Sequence, residues 1–203
     1  MPVDRTKAEK AVFEFLRAMG RDPENEPELA GTPARVAEAW ATDLIDGYDV
    51  DVPRLLAVES GPAPSGGGGL VSVRGLAVST MCPHHLLPGL GTGTVLYLPG
   101  ERITGLGTLA RLLDAFAHRL SLQETIAASV AGALVEHLGA RGAACKLSLS
   151  HSCLASRGER QERAVVDTIA FAGSFEHPGP DRDLALTALS ERARAKRPNA
   201  ERS

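Results

Sequence analysis

Two short stretches of the sequence carry residue types suited to metal and proton chemistry. The first is Cys82-Pro83-His84-His85, which places one thiol and two imidazoles within a single tetrapeptide. The second is His151-Ser152-Cys153, much further along the chain. Thiolates and neutral imidazoles are ligands that suit zinc, and three protein ligands leave the fourth tetrahedral position for water. Cys82, His85 and Cys153 together could therefore form an open zinc site of the catalytic type.

The same residues also allow a purely structural interpretation. Cysteine is among the residues most often buried in protein cores. Cys82 and Cys153 could therefore be core thiols that happen to lie beside polar histidines. Cys145 has no histidine close to it in the sequence and is predicted to lie in the core. Spacing alone leaves both interpretations of the two stretches open.

Both stretches adjoin segments with the character of β-strands. Residues 70–81 lead into the first stretch, and a strand over residues 144–153 includes the second. Because residues i and i+2 of a strand share a face, His151 and Cys153 are predicted to point the same way. That arrangement suits one shared pocket.

The rest of the pattern predicts an α+β protein. A Ser121…Glu124 pair has the spacing of a capping box and predicts the start of a helix. The central order is strand-strand-helix-helix-strand-strand. The predicted helices cover residues 7–19, 33–45, 108–120, 122–138 and 181–194, and the predicted strands cover residues 70–81, 86–98, 144–153 and 164–172.

The chain is predicted to divide into three parts. Residues 1–69 form an N-terminal helical region with a Gly/Pro-rich linker, residues 70–180 form the main domain, and residues 181–203 form a C-terminal helix and tail. Residues 49–69 hold three prolines and a run of four glycines. Such a segment buries little surface, so we expect a flexible loop there.

Composition excludes several classes of function. The net charge of -3 argues against general nucleic-acid binding, which requires a basic surface. An aromatic content of only 4% argues against a base-stacking surface. No apolar run approaches the roughly 18 residues of a membrane span, and the N-terminus lacks the apolar core of a signal peptide. Three cysteines are an odd number for a secreted disulfide framework, so we expect a cytoplasmic protein.

From residue 31 to residue 175 the sequence resembles type I GTP cyclohydrolase. The resemblance rests on five separated motifs in the family's order: TPARVA (32–37), STMCPHHL (79–86), GLGTLAR (105–111), LQE (122–124) and HSCLASRG (151–158). It implies the tunnelling fold, an antiparallel four-stranded sheet with two helices in the order ββααββ, preceded here by N-terminal helices. In this family the subunits assemble into rings, and two pentameric rings stack into a homodecamer with active sites between subunits.

The resemblance also implies a reaction. The family hydrolyses the imidazole ring of GTP at C8, releases formate, and recloses the product as dihydroneopterin triphosphate, a step of pterin and tetrahydrofolate biosynthesis. By motif, Cys82, His85 and Cys153 would bind Zn²⁺. His84 and His151 would handle protons, which suits imidazoles because they titrate near neutral pH.

The substrate-binding residues follow from the same motifs. Glu124, with Gln123 beside it, would hold the guanine edge, since a carboxylate can accept from both N1–H and the 2-amino group. A simple helix-capping role is the alternative for this pair, and the two roles are compatible. Arg35, Arg111 and Arg157 match family positions in the region that holds the triphosphate.

Several residues depart from the family pattern in that same region. Gly107-Thr108 replaces a Ser-Lys pair, Glu38 stands in place of a lysine, and Pro83 replaces a glutamate. A triphosphate carries about four negative charges, so losing two cations and gaining an anion should weaken its binding. Arg160 or Arg163 could compensate.

Three functions therefore stay open at the level of sequence. The first is GTP hydrolysis, and the second is hydrolysis of a purine-like substrate that lacks the triphosphate. The third is a non-catalytic, ring-forming role. Retention of all three ligand positions and both proton-handling histidines speaks against the third, since a protein without activity need not keep them.

Overall fold

A four-stranded antiparallel sheet forms the centre of the computed structural model, which describes residues 3–64 and 69–190. Its strands lie in the order β2-β3-β5-β6, and a separate two-stranded sheet pairs β1 with β4. The strands are β1 (Ser60–Pro62), β2 (Val71–Met81), β3 (Pro88–Leu98), β4 (Arg102–Thr104), β5 (Gly142–His151) and β6 (Val166–Gly173).

Helices precede the main sheet, interrupt it and follow it. Within the described residues they are α1 (Arg5–Ala18), α2 (Thr32–Ala39), α3 (Val52–Val58), α4 (Leu106–Ala117), α5 (Gln123–Glu136), α6 (Ser152–Ala155) and α7 (Pro180–Ser190). The order β2-β3-α4-α5-β5-β6 confirms the predicted α+β arrangement, with the short strand β4 inserted before α4. The predicted C-terminal helix is present as far as residue 190, and residues 191–194 of that prediction lie outside the described part of the chain.

The main core lies between the sheet and helices α4 and α5. Leucines at helical spacing on α4 are fully buried against apolar residues of the sheet such as Val95 and Leu147. Each buried leucine contributes about 1.5–3 kcal/mol relative to an exposed one. Gly93 of β3 makes this packing possible, because a Cβ there would come within 2.7 Å of Leu113 Cδ2. The apparent breaks at Pro88-Gly89, Gly91 and Gly93 therefore do not interrupt β3.

A second apolar cluster covers the opposite face of the sheet. Leu96 and Ala144 pack there against Phe175 and against Ala185 of α7. The sheet is thus apolar on both faces where these clusters lie.

Part of the predicted flexible loop is folded, so that prediction was wrong for residues 52–62. Asp51 caps α3 by accepting a hydrogen bond from the Arg54 N–H (3.0 Å), and Val52 and Leu56 are buried in the main core. These apolar residues stand at helical spacing behind an Asp N-cap, which is a recognisable helix signal. Residues 65–68, which hold three of the four glycines, lie outside the described part of the chain.

Two smaller predictions also need correction. Helix α5 begins at Gln123 after Leu122, and no side chain bonds to its cap, so Ser121 and Glu124 do not form a capping box. Helix α2 ends at Ala39, and the chain continues as a π-helical turn at Trp40–Leu44. In the described ranges, no helix combines the length and the apolar character needed to cross a membrane.

One carboxyl on α4 makes the stability of the fold depend on pH. Partial burial raises the pKa of Asp114 above its ordinary 3.8; nearby His118 lowers it and Asp46 raises it further. A raised carboxyl pKa favours folding below the unfolded pKa, and this contribution is lost as the pH rises through the folded pKa. At neutral pH the ionised carboxylate therefore opposes folding.

We predict that Asp114→Asn raises the melting temperature at pH 7 by about 1–2 °C. The gain should fade as the pH falls through the raised pKa of the folded state, and it should be absent below 3.8, where the wild-type carboxyl is neutral in both states. Thermal melts across this range measure the effect, with Glu14→Gln on the exposed face of α1 as the control. A gain that does not depend on pH would contradict this account.

Candidate active site

The loop between β2 and β3 folds into a single tight turn that presents the first motif. The Cys82 N–H donates to the Leu87 carbonyl (3.0 Å), and the Leu86 N–H donates to the Cys82 carbonyl (2.9 Å). Pro83 is tolerated because the first position of such a turn has no N–H bond to lose. Cys82 is buried, whereas His84 and His85 are exposed.

The second motif does not lie on one strand, so that prediction was wrong. Strand β5 ends at His151, which pairs with Gly89 of β3, and Cys153 belongs to the short helix α6. The Ser156 N–H donates to the Ser152 carbonyl (2.9 Å) and closes this helical turn. His151 and Cys153 therefore reach a common site from the end of a strand and from the following turn.

The two motifs meet at one cavity of about 230 Å³. It lies where the β2–β3 turn, the start of α5 and the end of β5 come together. Its lining includes the two predicted cysteine ligands and four of the other predicted site residues: Cys82, His84, Gln123, Glu124, His151 and Cys153. The structure thus brings six of the ten sequence-predicted site residues to one place.

A buried glutamine fixes the His151 ring. Gln123 Nε2 donates to the Leu147 carbonyl (3.2 Å) and to the Val166 carbonyl (2.9 Å), and Gln123 Oε1 lies 2.7 Å from His151 Nε2. Carbonyl oxygens only accept, so the amide nitrogen must face them and the amide oxygen must face His151. His151 Nε2 must then carry the proton. The nitrogen that remains to accept one is Nδ1.

Gly89 provides the room for this ring. A Cβ at Gly89 would lie 3.1 Å from His151 Nδ1 and 3.2 Å from Cε1. Both distances are shorter than ordinary contacts. A side chain at residue 89 would therefore push the imidazole a few tenths of an ångström from its present position.

His85 makes a different contact. An Arg157 Nη1–H donates to His85 Nε2 at 3.0 Å. Because a guanidinium only donates, His85 Nε2 is unprotonated and directs its lone pair at Arg157. Within residues 3–64 and 69–190, no three His, Cys, Asp or Glu side chains are grouped closely enough to hold a metal ion.

The donor set nevertheless has the chemistry of a zinc centre. Cys82 and Cys153 are free thiols on the walls of the same cavity. His85 lies in the same turn as Cys82, and its Nε2 lone pair accepts a hydrogen bond from Arg157. Cys145 is different, because burial raises the pKa of its thiol to about 12 and it belongs to the main core. Two thiols and one neutral imidazole thus fit zinc by type.

The predicted phosphate-binding arginines are dispersed. Arg157 lies beside the cavity through its contact with His85, whereas Arg111 is paired with Glu59. Arg35 Nη2 donates to Thr32 Oγ1 at 3.0 Å. Neither Arg35 nor Arg111 is among the residues that line the thiol cavity of this chain.

Three contacts of two carboxylates, Glu59 and Glu38, were missed at the level of sequence. Glu59, in the predicted loop, accepts a hydrogen bond from Thr108 (2.7 Å) and pairs with Arg111. Glu38 pairs with Arg5 at 2.6 Å. The sequence offered no local signal for any of them, since the partners are distant in sequence.

An α+β fold with thiols, imidazoles and a carboxylate around one cavity defines a class of site suited to metal-assisted acid–base chemistry. The model of the family described as GTP cyclohydrolase I matches residues 8–190. The chain belongs to the GTP cyclohydrolase I family.

Curated relatives that carry the name of this family match the chain over nearly their whole length. The protein named GTP cyclohydrolase 1 from Chromobacterium violaceum is 42% identical over 190 residues, covering 93% of this chain and 89% of the relative. Its namesake from Leifsonia xyli subsp. xyli is 39% identical, covering 89% of this chain and 93% of the relative. The namesake from Allorhizobium ampelinum is 38% identical, with coverages of 93% and 92%.

We predict that Gln123→Leu destabilises the fold by about 2–4 kcal/mol, because it leaves the Leu147 and Val166 carbonyls without the donor they share. Urea unfolding measures the change. Gln161→Leu is a matched control, since Gln161 is exposed and its amide donates to the neighbouring Glu159 carbonyl. We expect the control to stay within about 0.5 kcal/mol of wild type. Equal effects of the two substitutions would show that the buried amide is dispensable.

Proposed function

We propose that this chain hydrolyses GTP at C8, opens the imidazole ring, releases formate and forms dihydroneopterin triphosphate. One observation carries the proposal. Two imidazoles, two thiols and a carboxylate line a single cavity in a chain of the GTP cyclohydrolase I family. Each of these groups has a task in the reaction, and the sheet and helices hold them together.

Glu124 would recognise the guanine base. It lies in the first turn of α5 and lines the cavity, with its side chain exposed to an incoming ligand. Its two oxygens can accept from the guanine N1–H and 2-amino group together. Gln123 would act beside it by holding His151, since its amide hydrogens already bond to backbone carbonyls.

His84 and His151 would move the protons. Addition of water to C8 releases a proton, and opening of the ring requires a proton on the departing nitrogen. The network around Gln123 leaves His151 Nδ1 to accept a proton, and His84 lines the same cavity. Imidazoles give and take protons near neutral pH, so both steps are within their range.

Cys82, His85 and Cys153 would hold Zn²⁺. When bound, the metal supplies a Lewis acid that lowers the pKa of a water molecule at the open coordination position. His85 offers the lone pair that now accepts a hydrogen bond from Arg157. Three unpaired thiols suit a reducing compartment, which supports a cytoplasmic setting for the enzyme.

Arg35, Arg111 and Arg157 would bind the phosphates. Arg35 and Arg111 are not in the cavity of their own chain, which supports sites that neighbouring subunits complete. We propose a ring-shaped homo-oligomer, a decamer as in the family, with β2 and β6 of each main sheet meeting strands of adjacent copies. These two strands are the edges of the sheet, and pairing would cover their unpaired backbone groups.

A second candidate is hydrolysis of a guanine compound with fewer phosphates. The observation that favours it is the pairing of Arg111 with Glu59, which neutralises a predicted phosphate-binding cation. Formate release from GTP, GMP, guanosine and guanine compares the candidates directly. Release from none of the four would instead favour the non-catalytic role.

For the proposed activity, we predict formate release from GTP by zinc-loaded wild type and its loss in Cys153→Ala together with the zinc. Cys145→Ala is the matched control, because it removes a thiol that burial keeps in the core. We expect this control to retain about one zinc per subunit. Elemental analysis and a formate assay measure both properties. Full zinc occupancy in Cys153→Ala would contradict the ligand assignment.

A further inference from the structure

Glu59 lies at the junction of three elements. It follows the last residue of α3 and precedes β1, and its N–H donates to the Leu55 carbonyl at 3.3 Å. Its own carbonyl accepts a hydrogen bond from Thr104 Oγ1 of β4 at 3.1 Å. These backbone contacts fix the point from which the side chain extends towards α4.

The carboxylate of Glu59 receives two donors on one oxygen. Thr108 Oγ1 donates to Glu59 Oε2 at 2.7 Å, and Arg111 Nη2 donates to the same oxygen. Thr108 and Arg111 are one turn apart on α4, so they face the same side of the helix. A hydroxyl and a guanidinium that converge on one oxygen form a small anion-binding pair, here filled by the protein's own carboxylate.

An external anion could reach Arg111, one of the two donors, from solvent. The Arg111 side chain is 57% exposed and that of Glu59 is 33% exposed, whereas Thr108 is only 2% exposed. A phosphate oxygen would therefore meet Arg111 first, and it would reach the Thr108 hydroxyl only where the Glu59 carboxylate had been displaced.

We propose that Glu59 is a specificity-determining residue that competes with the substrate's phosphate chain for Thr108 and Arg111. The inference rests on the proposed function, in which Arg111 contacts phosphate. Phosphate oxygens must displace the Glu59 carboxylate and then remain close to its negative charge. The penalty applies to phosphorylated ligands and leaves the bare nucleoside unaffected.

This proposal changes which substitution should improve phosphate binding. Thr108 is only 2% exposed, so a lysine at position 108 would disturb the side chains packed around it. The lysine would also pair with Glu59, which Thr108 now contacts. Glu38 is paired with Arg5 and makes no contact with Arg111 or Thr108 in the structure. Removal of the charge at Glu59 is therefore the more direct change.

The test compares Glu59→Gln with wild type in equilibrium binding of GTP, guanosine and inorganic triphosphate. The amide keeps the shape of the side chain and removes its charge. We expect Kd for GTP and for inorganic triphosphate to fall about fivefold at low salt, with no change for guanosine. The gain should shrink as the ionic strength rises, because exposed charges are screened. Glu59→Ala should show the same selectivity, and addition of Arg111→Gln should abolish it.

Glu26→Gln serves as the matched control, since it also removes a carboxylate from an ion pair with an arginine, Arg21, and lies outside the proposed site. An unchanged Kd for both phosphate ligands in folded Glu59→Gln would overturn the proposal. An equal gain for guanosine, or an equal gain in Glu26→Gln, would overturn it as well.

Formate release from GTP by zinc-loaded wild type tests the proposed function separately, because it reports opening of the ring and not the affinity for phosphate. Absence of formate release from GTP would refute the proposed function, while binding of inorganic triphosphate would still decide the role of Glu59.

Discussion

The carboxamide of Gln123 joins three elements at the point where the site is assembled. It is 4% exposed, and from the first turn of α5 it donates to backbone carbonyls of β5 and β6. Its oxygen meets His151 at the end of β5. A buried amide that loses these partners costs more than a hydrogen bond contributes when it is made. The orientation of His151, and which of its ring nitrogens is protonated, therefore depend on how α5 is seated against the sheet.

The proposed zinc ligands lie in two turns, one between β2 and β3 and the other directly after β5. The bonds between Cys82, Leu86 and Leu87 fold the first motif into one turn, and the helical turn after β5 carries Cys153 to the same cavity. His85 is the one proposed ligand whose lone pair faces elsewhere, towards Arg157. That contact places a proposed phosphate-binding arginine directly beside a proposed metal ligand.

The sequence was sufficient for the parts of the structure that depend on local pattern. Alternation and helical spacing predicted the four main strands and α4 and α5, and motif order predicted the family. Prediction from the sequence failed where tertiary contacts determine the structure. Helix α3 forms inside a segment that was predicted to be flexible, because the main core buries Val52 and Leu56. Cys153 leaves the strand because the chain turns at Ser152. No local pattern could show that Gln123 holds His151, or that Glu59 reaches Arg111, since these pairs are distant in sequence.

The tautomer of His151 tests the central claim most directly. Long-range ¹H–¹⁵N NMR of ¹⁵N-histidine-labelled wild type, at a pH of about 8.5 where an imidazole is neutral, distinguishes a protonated from an unprotonated ring nitrogen. The structure predicts that Nε2 of His151 is protonated and Nδ1 is not, because the Gln123 oxygen can only accept. Protonation of Nδ1 would contradict the account, because His151 would then have no proton to donate to Gln123.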